Sequence, residues 1–436
     1  MYCIGLDIGS SSIKGGILNC ESGAISDVRR AAFPEPVAGR PGSFEVCPQA
    51  VLAATTDVLG QLLECNPAVS EVRVCSQMGG ILLVDSSGQS VTPYLSWRDQ
   101  RSLAAADSGT DRSFLESLER QLPPEQFAEL GRELKPGSAL TLLAWLRQHG
   151  QLPRAQPLTI GDYVISQLCR APARMHRTHA LGLLNLTTGE WHQQVLESCG
   201  LGDLFWPALA ETQEIVGEWD SGHGVLPFFP AIGDQQAALK GIDLTPEELS
   251  LNISTGSQVS RITADFEPGR YQTRSWFGGQ YLNTVTHIPA GRSLTVLFQL
   301  LTEIAGEINE ADAWQRINAA VGRSTASELS CDLSFFAAAT GNEGSIRGIS
   351  VENLTVGNLF LAAFTFMADS YRQFSRQLDP AESWSKLAVS GGLVQRFGVL
   401  RSLLQERFGC ALREIAEQEE TLSGLLRLAQ EAAVGE

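Results

Sequence analysis

Residues 5–16 of the chain read GLDIGSSSIKGG, a polar and flexible turn between two apolar runs. The runs Tyr2–Ile8 and Ser12–Leu18 predict two antiparallel strands, and a further turn at residues 21–23 predicts a third strand in the same meander. Glycine N–H groups and serine hydroxyls in such a turn can donate hydrogen bonds to an anion. The stretch lacks the longer loop, ending in Lys-Ser or Lys-Thr, of a P-loop. It therefore predicts an anion-binding hairpin of another type.

A second stretch repeats this pattern in the other half of the chain. Residues 249–266, LSLNISTGSQVSRITADF, again predict a strand, a Ser/Thr/Gly turn and a strand. The repetition and the length of 436 residues predict two structurally related halves. The proline-flanked break at 227–230 marks their boundary. We therefore expect a first domain at residues 1–229 and a second at residues 230–436.

Helical segments separate these strands. Residues 48–64 and 356–378 carry apolar side chains at the spacing of an amphipathic helix, and residues 113–150 are mainly helical with prolines as breaks. Strands that alternate with such helices are typical of an α/β protein.

Composition restricts the partners. The chain has 32 basic and 49 acidic residues, a net charge of −17, which argues against nucleic acid and anionic membranes. Nine cysteines are scattered without a CxxC pair, which indicates reduced thiols and neither a zinc site nor a disulfide framework. No apolar run is long enough to span a bilayer, and the first strand begins at Tyr2, so we expect a cytoplasmic protein.

Five segments carry groups suited to phosphoryl transfer. They are Asp7 to Lys14, Gly233-Asp234-Gln235-Gln236, Ser254-Thr255-Gly256-Ser257, Ser390-Gly391-Gly392, and, in the first half, the pair Ser76-Gln77-Met78-Gly79 and Trp97-Arg98-Asp99-Gln100-Arg101. Two glycine turns, one from each half, could hold a triphosphate from both sides. Asp7, at a strand end, is placed to bind Mg²⁺ through water molecules. Asp234, in a strand-to-helix turn, is a candidate for the base that accepts a hydroxyl proton.

Each segment taken alone has a simpler structural explanation. A glycine-rich hairpin is more often only a turn, Gly233-Asp234 could be a helix N-cap, and Trp97-Arg98 could be a surface pair. The functional hypothesis depends on their order along the chain.

That order resembles the FGGY carbohydrate kinases of the actin-like ATPase superfamily. GLDIGSSSIKGG resembles the first phosphate motif of the family, AIGDQQAALKG (231–241) the segment with the catalytic aspartate, LNISTGSQVS (251–260) the second phosphate loop, and AVSGGLVQRFGVL (388–400) the adenosine motif. The likeness extends from Met1 to about residue 433. It implies a two-domain actin-like ATPase (ribonuclease H-like) fold, with mixed five-stranded sheets flanked by helices and a cleft between the domains.

The resemblance assigns roles to particular residues, with ATP and Mg²⁺ as cofactors. Asp234 would be the catalytic base and Asp7 would place the metal. The sugar would contact Gln77, Met78, Trp97, Arg98, Asp234 and Gln235. The nucleotide would contact Gly9, Ser10, Ser11, Ser12, Lys14, Thr255, Gly256, Ser257, Gly391, Gly392 and Gln395.

Within the family, the likeness is greatest to the sedoheptulokinases, through TIGDYVISQLCRAP (159–172) and THALGLLNLTTGEWH (178–192). This predicts phosphorylation of a primary hydroxyl of sedoheptulose. The alternatives are a kinase for xylulose or ribulose, a non-catalytic sugar-binding protein of the same fold, or an actin-like or chaperone ATPase. The expected partner is a small sugar, without nucleic acid or membrane, and dimers are common among relatives.

Two positions depart from the family pattern. Gly79 stands where a histidine is usual, and residues 289–292 read Pro-Ala-Gly-Arg where relatives often carry Asn-Gly-Gly-Asn. Both changes are expected to alter the sugar pocket. Arg292 would either bring a positive charge into that pocket or face solvent.

Overall fold

The computed structural model describes residues 1–105, 112–303, 309–325, 328–415 and 419–435. Its strands, in chain order, are β1 (Tyr2–Ile8), β2 (Ser12–Asn19), β3 (Ile25–Ala32), β4 (Glu45–Val46), β5 (Val72–Ser76), β6 (Leu82–Val84), β7 (Tyr94–Leu95), β8 (Gln156–Leu158), β9 (Arg174–His176), β10 (Leu184–Asn185), β11 (Glu190–Trp191), β12 (Ala208–Ala210), β13 (Gly217–Asp220), β14 (Val225–Phe228), β15 (Ile232–Gly233), β16 (Glu248–Ile253), β17 (Ser257–Thr263), β18 (Gln272–Ser275), β19 (Tyr281–Ile288), β20 (Ser330–Asp332), β21 (Ser345–Arg347), β22 (Lys386–Ser390) and β23 (Ala411–Glu414).

The helices lie between and after these strands. In chain order they are α1 (Pro48–Cys65), α2 (Phe114–Gln121), α3 (Pro124–Glu129), α4 (Ala139–Gln148), α5 (Ile160–Cys169), α6 (Gln193–Ser198), α7 (Asp234–Gly241), α8 (Gly291–Thr302), α9 (Glu310–Val321), α10 (Val356–Leu378), α11 (Gly392–Arg396), α12 (Gly398–Phe408) and α13 (Glu420–Gly435). The helices predicted over 48–64 and 356–378 are present as α1 and α10.

Two mixed sheets organise the molecule. The first has the order β13-β14-β5-β1-β2-β3, with β15 also paired to β5; the second has the order β18-β19-β17-β16-β22-β23. In each sheet a hairpin pairs antiparallel, β1 with β2 and β16 with β17, and the first strand of that hairpin pairs parallel with a later strand, β5 or β22. The two hairpins that look alike in sequence therefore occupy equivalent places.

The predicted strand number is wrong, although the mixed sheets are confirmed. Among the described residues the first sheet has seven strands and the second has six. The hairpin β13–β14 and the short strand β15 extend the first sheet along β5, and β18 adds an antiparallel edge strand to β19. These strands are two to four residues long, too short for a clear alternation of apolar side chains.

Separate apolar cores lie against the two sheets. Strands β1 and β5 pack with α1 and α5, whereas β16 and β22 pack with α10 and α12. A further core lies around α4, where Trp145 is buried. No helix of the described residues is long and apolar enough to cross a membrane.

Helices α7 and α13 pack against each other and connect the halves. A Cβ atom at Gly241 would lie 1.9 Å from the Glu420 carbonyl oxygen, and one at Gly424 would lie 1.9 Å from the Ala237 carbonyl oxygen. Only glycine permits this approach of the two backbones. Helix α13 thereby covers Cys3 and Leu18 of the first sheet, although it follows the second sheet in the chain. Strand β15 likewise belongs to the first sheet but lies beyond residue 229, and the domain boundary stays a prediction.

Candidate active site

The ends of three parallel strands bring the first group of predicted residues together. Ile8 of β1 lies beside Ser76 of β5, and Ser76 lies beside Gly233 of β15. The residues that follow these strands, Gly9–Ser12, Gln77-Met78 and Asp234-Gln235, therefore share one sheet edge. We call this set the first strand edge. Since parallel neighbouring strands end on the same side of a sheet, this edge is a natural place for a ligand.

Asp7 is the buried carboxylate of this edge. Its Oδ2 atom accepts a hydrogen bond from the Thr421 hydroxyl at 2.7 Å and lies 3.4 Å from the Lys14 ammonium. Its Oδ1 atom is buried and accepts no hydrogen bond from the described residues. Lys14 also pairs with Glu419 at 2.9 Å, so its charge is shared between two carboxylates. Its predicted contact with a nucleotide stays a prediction.

The Arg98 side chain forms hydrogen bonds with the first turn, Gly9–Ser12. The guanidinium donates to the Ser10 hydroxyl at 3.1 Å and to the Ser11 hydroxyl at 3.2 Å. Within the turn, the Gly9 N–H donates to the Ser12 carbonyl at 3.0 Å. Arg98 was predicted on the sugar side and the serines on the phosphate side. The structure brings the two sets into direct contact.

Gln77 and Met78 follow β5 at the same edge. The Gln77 N–H donates to the Ile8 carbonyl at 3.0 Å, and its side-chain Oε1 is buried without a hydrogen-bond partner among the described residues. A Cβ atom at Gly233 would lie 2.8 Å from the Met78 sulfur, so Met78 packs directly beside the turn that carries Asp234. Gln77 therefore presents an acceptor atom that a ligand hydroxyl could satisfy.

Gly79 adopts a backbone conformation that explains its departure from the family pattern. Its φ angle is +74°, and a Cβ atom there would lie 3.1 Å from the Cβ of Trp97. Trp97 itself is 42% exposed, on the loop that carries Arg98. A histidine at position 79 would be strained in this conformation. The local backbone thus favours glycine at position 79, packed closely against Trp97.

Asp234 opens α7, and the pKa of its carboxyl is strongly raised. Burial, and then the nearby charge of Asp7, raise the pKa of its carboxyl to about 7, while the Gln235 N–H bond and the Arg274 charge oppose that rise. The Gln235 N–H donates to Asp234 Oδ1 at 2.8 Å. A carboxyl with a pKa near neutrality can exchange protons at physiological pH, as a general base must.

Asp162 shows why a raised pKa alone does not identify the base. Burial also raises the pKa of Asp162 to about 7. That side chain forms a capping box with Thr159 at the start of α5, as a helix-start residue would. Asp234 differs because it stands at the strand edge beside Asp7 and the first turn.

Gln235 connects the first strand edge to the second sheet. Its amide nitrogen lies 3.3 Å from Gln258 Oε1 and 3.4 Å from the Ser260 hydroxyl, both on β17. Its amide oxygen accepts a hydrogen bond from Arg274 on β18. Gln235, which was predicted to bind sugar, is therefore also hydrogen-bonded to strands β17 and β18 of the second sheet.

The sequence patterns did not predict the ion pair made by Arg274, the side chain that donates to Gln235. Arg274 pairs with Glu133, a side chain that is only 1% exposed, and Gln272 donates to the same carboxylate at 3.1 Å. Glu133 belongs to the first half and Arg274 to the second. Nothing in the local spacing of either residue points to this contact. Thr178, whose hydroxyl accepts from the Gly233 N–H at 2.9 Å, was missed for the same reason.

A second set of predicted residues gathers where β16 and β22 end. Ser390 lies beside Asn252, so Gly391-Gly392 follows the strand next to the turn Ser254–Ser257. We call these two segments the second strand edge. Gly391 has φ of +100°, and its Cβ would lie 2.2 Å from the Ile253 carbonyl oxygen. Residues 254–256, Gly392 and Gln395 are exposed, whereas the Ser257 hydroxyl is buried and hydrogen-bonded to Tyr371 at 2.8 Å.

The variant segment 289–292 lies against this second turn. The Gly291 N–H donates to the Ser254 carbonyl at 3.0 Å, and the Arg292 N–H donates to the Thr255 carbonyl at 2.8 Å. The exposed Arg292 guanidinium stacks on the Phe336 ring, 3.6 Å from its centroid. Its charge is thus engaged at the protein surface.

A separate cavity of about 590 Å³ contains none of these residues. It lies between α10, α12 and the β20–β21 hairpin, and its lining includes Cys331, Phe366 and Arg407. The chemistry-bearing groups lie at the two strand edges instead.

The residues present fit a hydrated magnesium ion at one place. Asp7 offers a buried carboxylate oxygen that no described residue satisfies. Among the described residues no cluster of three or more His, Cys, Asp or Glu side chains could hold a metal alone. One carboxylate with otherwise water and substrate oxygens is the usual environment of Mg²⁺ and differs from that of zinc.

Comparison with known proteins agrees with this geometry. The family model for the N-terminal domain of the FGGY family of carbohydrate kinases matches residues 2–241. The glycerol kinase of Marinomonas sp. is 23% identical over 284 residues, covering 61% of this chain and 55% of that protein. The gluconokinase of Bacillus subtilis is 24% identical over 220 residues, covering 49% and 41%. The chain thus spans about half the length of the curated relatives it matches.

Solved structures share the whole fold. The xylulose kinase of Rhodospirillum rubrum superposes with a TM-score of 0.86 at 19% identity, covering 100% of this chain and 90% of that one. Plasmodium falciparum glycerol kinase, solved with ADP, gives a TM-score of 0.84 at 14% identity, covering 99% and 89%. The predicted actin-like architecture of two mixed sheets is confirmed. Because the family model matches more than half of the sequence, the chain belongs to the FGGY family of carbohydrate kinases.

Proposed function

We propose that this protein is an ATP-dependent kinase that phosphorylates a primary hydroxyl of a ketose, with sedoheptulose as its substrate. The observation that carries the proposal is the position of Asp234. It stands at the end of β15, beside the first glycine turn and the buried Asp7, with a pKa raised to about 7. A base and a phosphate-binding turn at the same sheet edge, on the two strands that flank β5, suit direct phosphoryl transfer to a hydroxyl.

In this proposal Asp234 accepts the proton of the sugar hydroxyl. As the hydroxyl oxygen attacks the γ-phosphorus of ATP, the bond from that phosphorus to the bridging oxygen of ADP breaks. The ionised form of Asp234 is the active one, and a pKa near 7 keeps a large share ionised at neutral pH while preserving basicity. The negative charge of Asp7 disfavours the ionised form of Asp234. This repulsion raises the pKa of Asp234 and makes its carboxylate a better proton acceptor.

The two glycine turns would hold the phosphates. The first offers the serine hydroxyls that Arg98 already contacts, and the second offers the exposed backbone of 254–256. Asp7 would hold Mg²⁺ through water, and the bound ion would neutralise phosphate charge. Gln77 would present its free amide oxygen to a sugar hydroxyl.

The substrate proposal rests on the sugar side of the cleft. Glycine at position 79 lacks the imidazole that is usual in the family, which suits an acceptor longer than a pentulose. The likeness of residues 159–172 and 178–192 to sedoheptulokinases supports the same choice. A pentulose kinase is the second candidate, because xylulose kinases of Lactococcus lactis and Streptomyces coelicolor are among the relatives, at 22% and 25% identity.

The test is ADP release by the full chain with Mg-ATP across sedoheptulose, xylulose, ribulose, fructose, glycerol and gluconate. We expect the highest kcat/KM with sedoheptulose and no sugar-dependent rate in the Asp234→Asn variant. A higher kcat/KM with xylulose or ribulose would replace the substrate but keep the reaction. ATP binding without turnover on any acceptor would favour the non-catalytic alternative, and ATP hydrolysis that no sugar stimulates would favour an actin-like ATPase.

A further inference from the structure

Two cysteines that are distant in sequence lie side by side at the start of the first sheet. The sulfur atoms of Cys3 and Cys20 are 3.4 Å apart, although seventeen positions separate the residues. Both thiols are free, as are the other seven cysteines. The exposed Cys47 and Cys65 contact Gln49 and Arg29. The sequence predicted only scattered reduced thiols, so this pair is new information from the fold.

The backbone around the pair is fixed by the hairpin. Cys3 lies opposite Leu18 in the β1–β2 ladder, and the Cys20 N–H donates to the Met1 carbonyl at 3.0 Å. Cys20, the residue after β2, is therefore a diagonal neighbour of Cys3 on β1. The Cys20 carbonyl accepts from Gln430 of α13 at 3.0 Å. A disulfide has its sulfurs about 2.0 Å apart, so the atoms need to approach by only about 1.4 Å.

The two thiols differ in access and in acidity. Cys3 is fully buried beneath α13, whereas Cys20 is half-buried. The side-chain contact with Cys3 lowers the pKa of Cys20, against the opposing effect of burial. The same contact, together with burial, raises the pKa of Cys3. Because the thiolate is the nucleophile, Cys20 is the thiol that meets an oxidant first and Cys3 is placed to react second.

We propose that Cys3 and Cys20 are a modification site that forms a reversible disulfide with a hydroperoxide as oxidant. The Cys20 thiolate attacks one peroxide oxygen, the O–O bond breaks, and the sulfur becomes a sulfenic acid while the other oxygen leaves as water or an alcohol. The Cys3 sulfur then attacks the Cys20 sulfur, the S–O bond breaks, and a water leaves with the Cys3 proton. Two thiols lose two electrons and the peroxide gains them.

The bond would close a ring around the whole β1–β2 hairpin. That ring contains Asp7 and the first turn, Gly9–Ser12. A cross-link removes conformational freedom from the unfolded chain, so the oxidised protein is expected to unfold at a higher temperature than the reduced protein. This site stands independently of the proposed kinase activity.

The experiment uses the full wild-type chain, reduced, freed of reductant and exposed to hydrogen peroxide. Remaining thiols are alkylated and the protein is digested without reduction for mass spectrometry. We expect a cross-linked peptide pair joining Cys3 to Cys20, two hydrogen atoms lighter than the separate peptides, which disappears on treatment with dithiothreitol. The Cys65→Ser variant is the matched control because it removes an exposed thiol outside the pair, and it should form the same cross-link.

The Cys3→Ser variant and a dimedone probe for sulfenic acid test which of the two cysteines is oxidised first. Cys20 should be trapped as the dimedone adduct in this variant, and the peroxide-induced rise in unfolding temperature should be lost. The wild-type measurement stands whether or not this variant folds. The proposal is overturned if Cys3 and Cys20 both remain alkylatable under conditions that oxidise Cys47 and Cys65, or if Cys20 pairs with another cysteine.

Discussion

The two glycine turns occupy equivalent places in two similar sheets, yet they are built differently. The first turn, Gly9–Ser12, accepts hydrogen bonds from the Arg98 guanidinium and lies at the same sheet edge as Asp7 and Asp234. The second turn is exposed at 254–256, and its Ser254 and Thr255 carbonyls accept hydrogen bonds from the backbone of Gly291 and Arg292. The charged groups and the candidate base therefore belong to the first strand edge, while the second presents mainly exposed backbone. The two halves therefore have equivalent strand topology but different side chains around the turn.

The largest effect is expected from removing the candidate base at the first strand edge. Asp234→Asn should lower kcat by about 10²–10⁴-fold, the usual contribution of a general base. Because the folded protein raises the pKa of this carboxyl, ionised Asp234 opposes folding at neutral pH, and the variant should be at least as stable as the wild type. Steady-state kinetics and chemical denaturation measure the two effects.

Asp162→Asn is the matched control for that prediction. It replaces a carboxyl whose pKa is also raised to about 7 but which caps α5. The control should keep activity close to the wild-type rate. If Asp234→Asn retains more than about a tenth of the wild-type kcat, Asp234 is not the base. The first strand edge would then not differ from the second by carrying the catalytic base.

The pH dependence of kcat/KM should report the ionisation of the same carboxyl. Ionised Asp234 accepts the proton, so kcat/KM should rise about tenfold per pH unit below pH 7 and level off above it. Arg274→Met removes a positive charge that lowers the pKa of Asp234, and it should move this rise to higher pH. Arg274→Lys keeps the charge and should move it less. A profile that is identical in wild type and Arg274→Met would contradict the electrostatic connection.

Two alanine substitutions compare the structural and binding roles of glycine at the second strand edge. Gly391→Ala should cost at least about 2 kcal/mol of folding free energy, because φ is +100° and the new Cβ would meet the Ile253 carbonyl oxygen. Gly256→Ala meets no atom within 4 Å and should fold normally. Its KM for ATP should nevertheless rise if phosphates approach that backbone. An unchanged KM for ATP in folded Gly256→Ala would remove the second turn from the nucleotide site.

The smallest effect is expected at the side chain that distinguishes the first turn from the second. Arg98→Met removes two hydrogen bonds to the Ser10 and Ser11 hydroxyls and should lower kcat/KM about tenfold or more, since charged hydrogen bonds contribute about 1.5–3 kcal/mol. Arg154→Met, at an exposed arginine that lies over the Phe205 ring, is the control and should have no effect on kcat/KM. Equal effects of the two variants would show that Arg98 is only a surface group.

The sequence determined the local elements and the placing of the polar turns. The hairpins around Gly9–Ser12 and Ser254–Ser257, the helix α10 and the strand-to-helix turn at Asp234 all follow from neighbouring residues, because strand alternation, turn glycines and helical periodicity act over a few positions. The family resemblance rests on those same turns. The short edge strands β13 and β18 were beyond this reasoning, since four residues carry too little periodicity.

Only the tertiary structure decided which distant side chains meet. Thr421 reaches Asp7 across 414 positions, Arg274 reaches Glu133 across 141, and Cys20 lies beside Cys3 although no cysteine motif marks the pair. These contacts depend on the path of α13 over the first sheet and on the packing of β18 against the first half. Sequence periodicity records which face of an element is buried, but the partner on that face is set by packing between elements.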